Sequence, residues 1–135
     1  MSTSRIDLIL SAARARIDRL SAEAAAAELA SDTRDAVLVD IRPAAQRAAH
    51  GEVPGALVIE RNVLEWRFDA TSDSALPVAH DDLRVIVLCQ EGYTSSLAAA
   101  ALRDVGVHRA TDVVGGFAAW QGAGLATRPA GERAA

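Results

Sequence analysis

The chain has 135 residues, half of them hydrophobic and few aromatic, enough for one domain whose core is built mainly from small aliphatic side chains. Its formal charge is −4 and it contains no lysine, so its 14 cationic side chains are all arginine; no basic surface for nucleic acid follows, and no nucleic-acid partner is expected. A single cysteine excludes an internal disulfide, and neither a secretory signal nor a membrane span is evident, so a cytoplasmic protein with no membrane partner is expected.

From Ser4 to Ala15 the apolar residues Ile6, Ile9, Leu10 and Ala13, continued by Ile17, follow the spacing of a helix with one apolar face. Residues 1–16 are therefore read as an amphipathic helical extension, which packs on its own domain or on a partner. A short strand is expected at Ile17 to Leu20. Ser21 then caps a helix through Ala30, with Glu23 in its first turn complementing the dipole. Asp35 to Ile41 is a near-continuous apolar strand ending at Asp40 and Arg42, and Pro43 suits the first turn of a helix to Ala49. Glu52 to Gly55 forms a turn before a short strand, Ala56 to Ile59. Arg61 to Asp69 reads as a short helix or turn in which Trp66 and Phe68 serve as core or lid. The polar, unpatterned residues 70 to 82 read as a surface loop.

The strand Val85 to Leu88 stops at Cys89, passes through a Gly-containing loop and restarts as a helix from Ser95 to Asp104, before Gly106. A last strand lies within Val107 to Val114; Gly115 and Gly116 break it, and a closing helix begins at Phe117. Residues 126–135 are expected to be a mobile tail. Strands alternating with helices argue for an α/β domain, a parallel sheet with helices on both faces. Ligands of such sheets sit beyond the carboxyl ends of the strands, where Cys89, Asp40 and Arg42 all fall. Loop amides and the positive end of the following helix would converge on the Cys89 sulfur and favour an anion there. The histidines, His50, His80 and His108, lie outside this loop without ligand spacing, so no metal site is expected.

Four pieces of the chain, in order, resemble the rhodanese family of single-domain sulfurtransferases: Val39-Asp40-Ile41-Arg42, Gly51 to Ala56, Cys89 to Ser95, and Val114 to Trp120. The resemblance covers about residues 17–125. It implies a central parallel sheet of about five strands flanked by helices, and a Cys89 that accepts a sulfane sulfur and becomes a persulfide. No cofactor is implied. The partners would be a small sulfur donor and a thiol or cyanide acceptor, with a protein acceptor as a further candidate. The binding loop would be Gln90, Glu91, Gly92, Tyr93, Thr94 and Ser95, its amides stabilising the sulfur anion and the Thr94 and Ser95 hydroxyls adding donors. Gly92 would let the backbone curl.

The chain departs from the family in two places. Many members that act on thiosulfate carry cationic residues just after the cysteine, whereas Gln90 and Glu91 stand here, and an acid there disfavours a dianionic donor. Arg42, Arg61 or Arg67 would restore positive potential, and Arg67 is the candidate that could fold over the site. Glu52 stands where the family often has His, and no role is transferred to it. Asp40 and Arg42, at the rim, are read as an ion pair that anchors it. The competing readings are a Cys-x5-Arg phosphatase or arsenate reductase, opposed by Thr94, Ser95 and Ser96 where the arginine would stand, and a noncatalytic binding or thiol redox-sensing module.

Overall fold

In the computed structural model, residues 3–31 and 35–131 are described. The predicted N-terminal helix is α1 (Arg5–Arg14), capped where Ser4 Oγ accepts from the Asp7 amide at 3.1 Å. Ser21 caps α2 (Ala22–Ala30) in the same way through the Ala24 amide. Each such cap is worth about 1 kcal/mol. The chain continues through β1 (Ala36–Asp40), α3 (Ala44–His50), β2 (Leu57–Val58), a 3-10 turn (Arg61–Val63) and α4 (Leu64–Phe68). After the loop come β3 (Arg84–Leu88), α5 (Thr94–Asp104), β4 (Thr111–Asp112) and α6 (Gly116–Gly122).

The sheet is parallel throughout, in the order β2-β1-β3-β4. Side chains alternate across it, and each face is sealed by helices. Val39, Val85 and Val87 pack on one face against Leu64 and Phe68 of α4 and Ala98, Ala99 and Leu102 of α5. Leu38, Ile86 and Leu88 pack on the other against Ala22 and Ala25 of α2 and Phe117 and Trp120 of α6. Both faces of β1 and β3 are apolar for this reason, which is what gave those segments their continuous hydrophobic runs.

The expected strand at Ile17 to Leu20 is reduced to one residue. Leu20 forms a parallel bridge to Val113, donating to Asp112 O and accepting from the Val114 amide. Arg16 and Ile17 still close the last turns of α1, and β4 itself has only two residues to pair with. Among the described residues the sheet thus has four strands and a one-residue fifth position. The expected tail also has partners: Arg128 bridges Glu52 through both backbone groups, the Trp120 indole donates to Ala126 O, and Glu52 accepts the Gly131 amide. Residues 132–135 lie outside the described residues.

Helix α1 lies on α5, burying Leu10 and Ala13. Ile6 and Ile9, from the same apolar stripe, stay exposed with Leu8. Phe68 is core, whereas Trp66 is on the surface. No helix among the described residues is long and apolar enough to cross a membrane.

Candidate active site

Cys89 follows directly on β3, the central strand that runs buried along its whole length, so the sulfur is delivered to the carboxyl edge of the sheet by rigid structure. It is 4% exposed. Two amides point at it: Gly92 N lies 3.2 Å from Sγ, and Ser95 N, in the first turn of α5, lies 3.4 Å away. Both donors, with the positive end of an 11-residue helix behind them, favour negative charge on the sulfur.

The loop carbonyls face the other way. Cys89 O accepts from the Phe117 amide at 2.8 Å and Gln90 O from the Ala118 amide at 3.0 Å, so the start of α6 holds the loop's outer side. Gly92 O is taken by two guanidinium groups, Arg14 Nη2 at 2.8 Å and Arg19 Nη2 at 2.9 Å. A trans peptide points its C=O and N–H in opposite directions. The amides of Gln90, Glu91 and Tyr93 therefore each point away from the partner of the carbonyl that precedes them. The loop thus has three carbonyls taken by donors of α6 and of the N-terminal segment, and two amides, those of Gly92 and Ser95, on the sulfur.

The rim residues Asp40 and Arg42 come together as expected. Arg42 is fully buried and bidentate on Asp40, with Nη2–Oδ2 at 2.7 Å. Its remaining donors go to Gly51 O and to the Gln90 side chain at 3.0 Å, and its plane lies over the Phe117 ring. All three guanidinium nitrogens have acceptors, which is what makes burial of the charge tolerable; removing one partner of such a pair costs about 3–5 kcal/mol. Gln90 is therefore tethered to Arg42 through its side-chain oxygen.

Two expectations about side chains are corrected. The Ser95 hydroxyl does not face the sulfur: it donates to Asp112 Oδ2 at 2.7 Å, because a buried carboxylate beside it needs donors more than a nearby thiol does. Arg67 does not close over the site either; it donates to Ser74 O and so ties down the loop after α4, while Arg61 pairs with Glu65 one helical turn on. Glu91, Tyr93 and Thr94 are exposed, with Tyr93 ring beneath the Arg14 guanidinium at 5.7 Å. Glu52, left without a role, pairs with Arg47. His80 and His108 pair with Asp35 and Asp82, residues that precede β1 and β3 and so lie at the opposite edge of the sheet from Cys89.

Sequence reasoning missed the cluster behind the loop. Asp112, fully buried at the end of β4, accepts from Arg19 Nε at 2.9 Å and from the Ser95 and Ser96 hydroxyls at 2.7 Å each. Arg14 adds Ser96 Oγ at 3.1 Å. A charged residue at a strand's carboxyl end was the one available signal: it singled out Asp40 and applied equally to Asp112. Arg14 and Arg19 carried no local signal.

A family model described as a rhodanese-like domain matches residues 21–123. A sulfurtransferase of Allochromatium vinosum is 33% identical over 109 residues, 81% of this chain and 92% of that protein. The thiosulfate sulfurtransferase GlpE of Actinobacillus succinogenes is 37% identical over 93 residues, 69% of this chain and 76% of that one. A solved structure from Rhodopseudomonas palustris, described as a protein of unknown function and possible tyrosine phosphatase, superposes with a TM-score of 0.83 at 32% identity, covering 95% of this chain and 97% of the other.

Proposed function

The chain belongs to the rhodanese-like domain family, and from that premise we propose that it is a sulfurtransferase whose Cys89 carries sulfane sulfur as a persulfide. The observation that carries this reading is the pair of amides, Gly92 N and Ser95 N, within 3.4 Å of Sγ in a loop whose Cys89, Gln90 and Gly92 carbonyls are taken by other donors. Such a cradle suits a sulfur anion in both states of a transfer cycle.

In the loading step the Cys89 thiolate attacks the outer sulfur of a donor, thiosulfate or a persulfide. The donor's S–S bond breaks, and sulfite or a thiolate departs with the bond electrons, leaving Cys89–S–S⁻. In the discharge step a thiol, a protein thiol or cyanide attacks the outer sulfur, and Cys89 leaves as thiolate. Electrons and atoms balance across the cycle, and no cofactor takes part. Arg42 acts at a distance, holding the Gln90 side chain and, with Asp40, the edge of β1 against the loop.

The description of the Rhodopseudomonas palustris protein raises a phosphatase reading. A Cys-x5-Arg phosphatase needs a guanidinium at the position of Ser95 to hold the phosphoryl oxygens. Here that side chain is a buried serine bonded to Asp112, which counts against phosphoryl transfer.

Intact-protein mass spectrometry after exposure to thiosulfate or a polysulfide, then to cyanide, tests the proposal. The wild-type chain is expected to gain one sulfur and lose it to cyanide, and Cys89→Ala to gain none. A wild-type protein that takes up no sulfur from any of several donors would end the sulfurtransferase reading.

A further inference from the structure

The two guanidinium groups on Gly92 O come from outside the sheet-and-helix body that surrounds Cys89: Arg14 from the last turn of α1, Arg19 from the segment joining α1 to α2. We propose that Arg14 and Arg19 are positioning residues for the Cys89 sulfur, so that the N-terminal segment is a working part of the site. They hold the Gly92 carbonyl from behind the loop and supply the positive charge that the loop's own side chains lack.

Two lines of geometry support this. The first is orientation. Gly92 is one of the two residues whose amides point at Sγ, and its carbonyl is held by charged donors, whereas those of Cys89 and Gln90 are held by α6. Charge-assisted hydrogen bonds are about twice as strong as neutral ones, so the two guanidinium groups fix Gly92, and with it the amide on Sγ, more firmly than neutral donors would. The second is charge balance. Arg42 and Asp40 cancel each other. On β4 and in the loop stand Asp112 and the exposed Glu91, both negative; from the N-terminal segment come Arg14 and Arg19, both positive. Tyr93 is neutral and lies under Arg14. Without one arginine the surroundings of the sulfur carry a net negative charge, which opposes a thiolate or persulfide.

The inference rests on Cys89 working as an anion, and its test is independent of sulfur transfer. Arg19→Gln would leave Asp112 buried and unpaired, so folding itself would suffer. Arg14 pairs with no carboxylate among the described residues; its partners are Gly92 O, Ser96 Oγ and the Tyr93 ring, so Arg14→Gln and Arg14→Lys are the informative variants. Cys89 is alkylated with iodoacetamide across a range of pH at low ionic strength, with thermal melts run alongside. At neutral pH Arg14→Gln is expected to react about threefold more slowly than wild type, with the deficit closing at alkaline pH, where every variant is ionised. Arg14→Lys, which restores the charge but not the forked geometry, should recover part of the rate. Unchanged alkylation in Arg14→Gln overturns the proposal, and so does a deficit that is the same at every pH and not relieved by Lys, which would mark a purely structural contact. If wild-type protein fails to load sulfur, the functional reading falls while the alkylation profile still decides this one.

Discussion

At Cys89 the donors that reach the sulfur are backbone amides, while the side chains of Gln90 and Ser95 are engaged elsewhere, on Arg42 and Asp112. That division leaves Glu91 as the exposed charged side chain of the loop. A dianionic donor approaching the amides must pass it, and the repulsion is a surface effect, felt over about 10 Å at moderate salt and weakened as salt rises. Glu91→Lys should therefore raise kcat/KM for thiosulfate by about two- to tenfold at low ionic strength, with the gain shrinking toward nothing at high salt. Steady-state assays at two salt concentrations measure this, and an equal rate for both proteins at low salt would place Glu91 off the approach path.

At the scale of elements, the loop packs directly against the backbone at the start of α6. Gly116, at the start of α6, has φ +60, and a Cβ there would come within 2.4 Å of Cys89 O, 2.8 Å of Gly92 N and 2.9 Å of Gln90 C. These are backbone atoms, so no rotamer change relieves the overlap. Gly116→Ala is expected to combine a left-handed strain of about 1–2 kcal/mol with displacement of the cysteine loop or of α6. Its melting temperature should fall by at least several degrees, and sulfur uptake at Cys89 should fall more than the melting temperature predicts, because the Phe117 and Ala118 amides that hold the outer side of the loop move with α6. A variant with a lowered melting temperature and full sulfur uptake would show that this packing is not needed for the cradle. These elements were legible in the sequence because their signals are local: helical apolar spacing for α1, β-branched runs for β1 and β3, a serine ahead of α2, a double glycine ahead of α6. The cluster behind the loop was not, because its members are far apart in the chain: 78 residues separate Arg14 from Gly92 and 93 separate Arg19 from Asp112. Arg67 shows the converse, a position in an aromatic segment that suggested a lid while its hydrogen bond is to a carbonyl seven residues away.

Across the whole molecule, the segment between α1 and α2 is fastened at both edges of the sheet. At the carboxyl edge Arg19 meets Asp112; at the amino edge Asp18 is bidentate on Arg84, the buried first residue of β3, and also pairs with Arg103 of α5. Arg84 is held in addition by Glu28 of α2, so one guanidinium joins a strand, a helix and the linker. Partial burial works to raise Asp18, but the hydrogen bond and charge of Arg84, with the charge of Arg103, outweigh it and hold the carboxyl below the usual carboxylate range. The hydrogen bond from Arg47, opposed by burial and aided by the Gly131 amide, lowers Glu52 in the same way. For a carboxylate whose folded value is depressed, the stabilisation is fully present above its unfolded pKa, about 4 for these groups, and is lost as pH falls through the folded value. Stability should therefore hold from neutral pH to about pH 5 and decline below about pH 4. Asp18→Asn isolates the linker's share. Its carboxylate is more than half exposed, so screening limits the effect to at most about 1 kcal/mol at pH 7. The difference from wild type should shrink as pH falls, since protonation of the wild-type carboxyl removes the same charge. Urea unfolding at pH 7, 5 and 3 measures it; a gap that stays constant or widens toward pH 3 would mean that Asp18 contributes through packing and not through its charge on Arg84.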